Sequence, residues 1–268
     1  MVYAIIAFIV YSICYLNTEE RVTETKKESK DDKLGFIAGL KLLSKNKYWA
    51  ILTFNGIFSS AVIALNMGSM YYYLAYVCNS PDAIVGVGML VSIPMLFLIP
   101  LSQPFVDKFG MKNSLILGNV VMVLGRAVVG IFGSSYVIAI YIGSLLFSIG
   151  CCTAWCSYPL LCNTVEYGEW KNGRRQEGLI MSAQSFGSKC GTAVGTALCG
   201  WVLAIVGYDG SAAIQSTSAL KGITLLYIVL PIILNILGAI VLSFYNLEKE
   251  YPAIVKELEE RHQAAETV

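Results

Sequence analysis

The sequence predicts an all-α chain that crosses a membrane several times, with six full helices preceded by a partial one. Three observations carry this reading. Hydrophobic residues make up 56% of the 268 residues and charged residues only 14%, against roughly a quarter charged in soluble domains. The charge is gathered into short stretches between long apolar windows. Lys and Arg are, moreover, sorted by connection, alternately crowded and almost absent.

The first element is Met1–Leu16, MVYAIIAFIVYSICYL. It is apolar but short, about 24 Å as a helix at ~1.5 Å per residue. It lacks the basic start and small-residue cleavage site of a signal peptide. It reads as a partial span, running inward from the outer side, in a chain whose beginning is missing. Residues 17–47 form a charged linker, NTEERVTETKKESKDDKLG, too polar to pack a core of its own. The linker ends in FIAGLKLLSKNK, Phe36–Lys47, which alternates apolar and basic residues as an interfacial helix does.

The six-helix bundle is expected over residues 48–245. Four windows carry no charge: Tyr48–Val77, Ala83–Val106, Tyr136–Val165 and Gly222–Tyr245. Ser114–Phe132 carries only Arg126, and Gly178–Val206 only Lys189. Each is about as long as the ~20 residues that a helix needs to cross a bilayer. The short alternating segments of a barrel are absent from the sequence. Tyr71–Tyr73 and Tyr76 close the first window, where an aromatic belt belongs. Residues 246–268 are read as a polar tail.

Of the 19 Lys and Arg, 16 fall in segments 17–47, 107–113, 166–177 and 246–268. The intervening connections hold only Lys221. The positive-inside rule then places the crowded segments and the carboxyl terminus in the cytoplasm, in a multi-pass protein of the cell membrane.

The chemistry of catalysis and of metals finds little here. The single histidine, His262, lies in the tail, and most of the eight cysteines sit inside apolar windows without C-x-x-C spacing. A zinc site, a haem site and a histidine-based triad are therefore not expected, and the chain is not read as an enzyme. The cysteines read as small apolar packing residues. The lipid bilayer is the implied partner; nucleic acid is not.

Intramembrane polarity is the remaining signal. Lys189 lies about 16 Å from the charged end of its window by helical rise, near mid-membrane. No acidic residue occurs in any of the six windows, so its counter-charge is expected outside this chain. Arg126 lies near the outer end of its window and is expected to reach the interface. Gly187, Gly191, Gly195 and Cys199 recur every fourth residue as a seam for close helix packing. Gln184 and Ser188, one turn apart, leave hydrogen-bonding groups on a neighbouring face. In the first full span Asn55, Ser59, Asn66, Ser69 and Tyr73 make a polar stripe. Such a stripe either lines an aqueous path or bonds neighbouring helices.

Two connections carry recognisable patterns. Asp107, Lys108, Gly110 and Lys112 in QPFVDKFGMK resemble the D-R/K-x-G-R/K loop of major facilitator transporters. EYGEWKNGRRQEG resembles the loop between the tenth and eleventh helices of the glycoside–pentoside–hexuronide:cation symporters, the melibiose permease family. The match runs through Val165, Glu166, Tyr167, Gly168, Glu169, Trp170, Lys171, Gly173, Arg175, Glu177 and Gly178. Gln184 and Lys189 fall on a family glutamine and lysine near the sugar site, and Gly207-Tyr208 also fits. Asn163 stands where the family usually has an aspartate, so an ion pair at that position is not available.

The resemblance implies the carboxyl-terminal half of a major facilitator fold, a sugar or glycoside symporter working by alternating access. Lys189, Gln184, Ser188, Asn55 and Asn66 are the candidate substrate-facing residues. Glu166, Glu169, Lys171, Arg174, Arg175, Glu177, Asp107 and Lys108 are candidates for a reversible gate of exposed ion pairs. The coupling cation, Na⁺ or H⁺, is expected only with a complementary amino-terminal half, because that half carries the family's acidic cation ligands. The alternative reading is a truncated or split-gene membrane protein with no transport of its own.

Overall fold

The computed structural model describes residues 2–18, 39, 43–173, 175–212 and 214–266. It divides into two units, residues 1–38 and 39–268. The first contains one helix, α1, Val2–Asn17, built of uncharged residues. At its end Asn17 donates to the Ile13 carbonyl and Thr18 to the Cys14 carbonyl, covering acceptors that the last turn leaves open.

Helices joined by short turns make up the second unit's described residues. Helix α2, Lys47–Tyr72, runs on through a π turn, Tyr73–Val77. Helix α3 is Ala83–Phe109 and α4 is Met111–Phe132. Helix α5, Val137–Cys151, is followed by a 3₁₀ turn, Ala154–Cys156, and then by α6, Ser157–Asn172. Helix α7 is Glu177–Ile205. Helix α8, Thr217–Thr224, continues through a second π turn, Leu225–Val229, into α9, Leu230–Ser243. Helix α10, Leu247–Glu266, ends the chain. Six spans are long and apolar enough to cross a membrane among the described residues, and each contains or closely matches one apolar window.

Two glycine seams set the packing. Gly187, Gly191 and Gly195 of α7 lie against Thr53, Ile57 and Ala61 of α2. This is the face that their four-residue spacing predicted. A second seam went unread in the sequence. Gly118 and Gly125 of α4 meet Gly150 and Gly143 of α5, each facing a backbone carbonyl of its partner. In lipid, where apolar burial does not drive helices together, such close backbone approach supplies the dispersion contact that does.

The charged stretches are more helical than a reading as loops allows. Helix α6 continues through Glu166–Asn172, so the connection expected over 166–177 shrinks to residues 173–176. Glu, Trp and Lys are adequate helix formers, and the stop comes at Gly173, which takes φ +68° in the left-handed region. Gly110, at φ +83°, is by itself the joint between α3 and α4.

Residues 246–268 are not a free tail. Leu247, Ile254 and Leu258 are buried in a core with Tyr48, Leu160, Tyr167 and Tyr245 at the charged end of the bundle. Tyr73 is a correction to the aromatic belt. It is 1% exposed and stacks on Tyr227 with centroids 4.7 Å apart, its hydroxyl donating to the Val129 carbonyl at 3.2 Å. Of the tyrosines placed in the belt, Tyr71 is the exposed one. The interfacial helix expected over Phe36–Lys47 falls largely outside the described residues.

Candidate functional site

The polar residues of α2, α4 and α7 converge midway along the bundle on a cleft of about 220 Å³. Asn55, Ser59 and Ser60 come from α2, Asn119 from α4, and Gln184 and Ser188 from α7. The fourth wall is the interruption between α5 and α6, which contributes Gly150, Thr153 and Ser157. A break in a spanning helix is tolerated at membrane depth only where it is buried in protein or lines a cavity. Here it does the second.

Glycines make the cleft possible. A Cβ on Gly56 would collide with the side-chain amide of Gln184, so this glycine lets Gln184 lie across α2. There Gln184 Oε1 accepts from Thr53 Oγ1 at 3.0 Å. A Cβ on Gly238 of α9 would sit 3.0 Å from Asn55 Oδ1 and 3.6 Å from Asn119 Nδ2. Asn55 is 3% exposed, and its Oδ1 has no hydrogen-bond partner among the described residues. A buried amide oxygen without a donor costs about 1–3 kcal/mol; this one lies against Gly238 of α9 and is closed to solvent in this conformation. Amides and hydroxyls, with no ionisable group in the wall, suit a neutral polyhydroxy ligand.

The sequence-derived residues divide on this geometry. Asn55, Gln184 and Ser188 come together in the cleft. Asn66 does not: its Oδ1 accepts from Arg126 Nη2 at 2.6 Å. Lys189, whose counter-charge is expected outside this chain, is exposed on one face of α7 and does not line this cleft. It shares that face with Ser182, Ser185, Thr192 and Thr196, all exposed, at spacings of three and four residues. A lysine at this depth costs roughly 2.5–3.5 kcal/mol against lipid, so the stripe requires a polar cover.

Arg126 overturns the expectation that it reaches the interface. It is 2% exposed, with its guanidinium carbon 4.2 Å from the Tyr227 ring centroid and 4.6 Å from that of Phe147. Two ring faces and one amide oxygen hold a cation that no carboxylate in the spans neutralises. The sequence carried a signal for both Asn119 and Arg126. They stand seven residues apart in one window, hence on one helical face. Thr153 and Ser157 were hidden because an apolar window does not announce where its helix breaks.

At the charged end the gate candidates form separate groups. Arg175 bridges Glu169 and Glu177, at 3.3 Å to each. Burial pulls the Arg175 pKa down, but its bonds to Glu169 and Glu177 outweigh that and leave it above the ordinary value. Lys171 donates to the Lys45 carbonyl at 3.3 Å and approaches the Tyr167 hydroxyl at 3.4 Å. Glu166 lies beside Tyr251, whose hydroxyl is pushed up to about 12 by burial and then by this carboxylate. Asp107 accepts from Gln103 at 2.8 Å and Lys108 lies over the Phe109 ring, both away from the Glu169 cluster. Arg174 lies outside the described residues. Missed in the sequence was Glu248, whose Oε1 accepts from the Met111 and Lys112 amides at 2.9 and 3.4 Å and so caps α4.

Comparison with known proteins agrees with this architecture. A family profile described as MFS/sugar transport protein matches residues 1–249. The isoprimeverose transporter of Lactiplantibacillus pentosus is 30% identical over 270 residues, covering 98% of this chain and 54% of its own length. An uncharacterised symporter of Bacillus subtilis, YnaJ, is 31% identical over 253 residues, covering 92% of this chain and 53% of its own. A putative glycoside/cation symporter of Escherichia coli, YagG, is 27% identical, covering 95% and 55%. The chain thus spans about half the length of the curated relatives it matches. It is a multi-pass membrane protein and belongs to the sugar-transport family of the major facilitator superfamily, the glycoside–pentoside–hexuronide:cation symporters.

Proposed function

We propose that this chain is the carboxyl-terminal six-helix half of a symporter for a sugar or glycoside, working by alternating access with a complementary amino-terminal half. The observation that carries the reading is the uncharged cleft lined by the amides and hydroxyls of Asn55, Asn119, Gln184 and Ser188. The relatives support the substrate class: one is an isoprimeverose transporter and another a putative glycoside/cation symporter. The exposed stripe around Lys189 supports the partner. It fits a second set of helices that brings a carboxylate to mid-membrane, where a cation paired in low dielectric loses much of its burial cost.

In this arrangement the six-helix bundle holds one side of the sugar through directional hydrogen bonds, and the second half holds the other side and the coupling cation. The basic ends of the spans face the cytoplasm. The Glu169–Arg175–Glu177 group lies at the inner mouth, where exposed pairs of ~0–1 kcal/mol each can be exchanged for water or for partners on the other half.

The test is uptake of labelled isoprimeverose and other glycosides, pentosides and hexuronides by cells expressing the chain alone or together with an amino-terminal half. Uptake that needs both halves and an ion gradient, and that disappears with Lys189→Ala, is the expected result. Uptake unaffected by Lys189→Ala and by Gln184→Leu would sink the site assignment.

A further inference from the structure

Helix α10 does two different things along its length. Its first three turns are built into the bundle. Leu247, Ile254 and Leu258 are buried, Glu248 caps α4, and Glu250 accepts from the Tyr48 hydroxyl at 3.3 Å. Beyond Leu258 its described side chains reach the bundle through polar contacts at Arg261 and His262, joined by Glu257 one turn earlier. Trp170 Nε1 donates to Glu257 Oε2 at 2.7 Å, Arg261 Nη1 donates to the Trp170 carbonyl at 3.1 Å, and His262 Nε2 lies 2.9 Å from Glu169 Oε1. Glu257, Arg261 and His262 are each about half exposed, at 48%, 49% and 52%.

All three contacts converge on one place, the last turn of α6 immediately before Gly173. That glycine takes φ +68°, donates its N–H to the Glu169 carbonyl at 2.7 Å, and is the turn at which α6 stops. The carboxylate held by His262, Glu169, is also a partner of Arg175 on the far side of that turn. Beneath the helix, the Glu166 carboxylate meets the Tyr251 hydroxyl of its anchored part, which ties that part to α6.

We propose that α10 is a strap with two functions: a fixed anchor, the buried side chains Leu247, Ile254 and Leu258, and a releasable clasp, the half-exposed side chains Glu257, Arg261 and His262, that holds the Glu169–Gly173 turn and with it the position of Arg175. The anchor keeps the clasp within reach, so that closing it orders only a few side chains. Each clasp contact is exposed and weak, while several acting together give a closed state that dominates without being permanent. Release frees Glu169 and lets the connection move about Gly173, with α6 above Thr164 held by Asn46, which donates to the Thr164 carbonyl at 2.8 Å.

Hydrogen–deuterium exchange on the full chain in lipid nanodiscs tests this without substrate or a second half, so the result stands apart from the transport reading. The clasp variant is Glu257→Gln with Arg261→Gln, and the anchor variant is Ile254→Ala. The clasp variant is expected to raise amide exchange at residues 169–177 by roughly fivefold, while residues 247–256 and 157–165 keep wild-type protection. High salt on the wild type should move the same amides in the same direction. The anchor variant should raise exchange along the whole of α10 together with residues 169–177. Unchanged exchange at 169–177 in the clasp variant overturns the proposal, and so does equal loss of protection along all of α10.

Discussion

Replacing Gly195 by alanine tests the α2–α7 seam that positions Gln184 and Ser188. A Cβ at Gly195 would stand 2.7 Å from the Ala61 carbonyl oxygen, 2.9 Å from Ala64 Cβ and 3.1 Å from Ala61 Cα. Ordinary contact begins at 3.4 Å, and two of these three neighbours are backbone atoms that cannot rotate away. The helices must therefore part by several tenths of an ångström along the seam. Overpacking of this kind costs about 1–3 kcal/mol, against a gain of about 1 kcal/mol from alanine's higher helix propensity. Gly200, five residues further along α7, is the internal control, because an added Cβ there meets no described atom within 4 Å. Gly200→Ala should be neutral or slightly stabilising. The two variants should differ by about 1–3 kcal/mol, or roughly 2–12 °C in melting temperature at ~2–4 °C per kcal/mol. Thermal unfolding of detergent-solubilised protein, followed by size-exclusion fluorescence, reads the difference. Equal melting of Gly195→Ala and Gly200→Ala would refute the claim that this seam is closed to side chains.

Three further outcomes are expected. Arg126→Met should destabilise by about 1–3 kcal/mol, mainly by stranding the Asn66 oxygen; adding Asn66→Leu should recover most of the loss, since a removed polar pair can be neutral, and a double-mutant cycle on melting temperature reads this. Glu248→Ala removes the cap on α4 and should cost about 0.5–2 kcal/mol, with Glu248→Gln, which keeps an acceptor, losing less in the same melts. The Trp170 N–H and then the Arg261 guanidinium hold the Glu257 carboxyl below its ordinary range. A depressed pKa contributes stability that is complete above the ordinary glutamate value of about 4.3 and lost as pH falls through the folded value. In a variant with Trp170 as sole tryptophan, indole emission should report that loss only in strongly acidic solution, and Glu257→Gln should abolish the transition.

Much of the architecture was legible because lipid imposes it. A charge-free window of bilayer length has few alternatives to a helix, so spans and seam residues such as Gly191 follow directly from the letters. The ends were less legible. Glu166–Asn172 is as charged as a loop, yet it continues a helix, because termination is decided by one left-handed glycine rather than by polarity. The apolar spacing of Leu247, Tyr251, Ile254 and Leu258 is helical, but the many charges between those residues disguised a docked helix as a tail. In the cleft, Asn55, Gln184 and Ser188 were found from polarity and family likeness together. Asn66 was misplaced because helical spacing gives a residue's face, and which neighbour covers that face is a tertiary fact. Arg126 turned inward for the same reason: two aromatic faces, Phe147 and Tyr227, are contributed from distant spans.

The central claim is that the Asn55–Asn119–Gln184–Ser188 cleft faces the sugar. Its most direct test is thiol labelling of Asn119→Cys, in membranes containing both halves, with and without a glycoside. The account predicts that a small polar thiol reagent modifies this position and that a transported glycoside slows the modification in proportion to its occupancy, while sorbitol does not. Modification at the same rate with and without every glycoside that the assembly transports would contradict it.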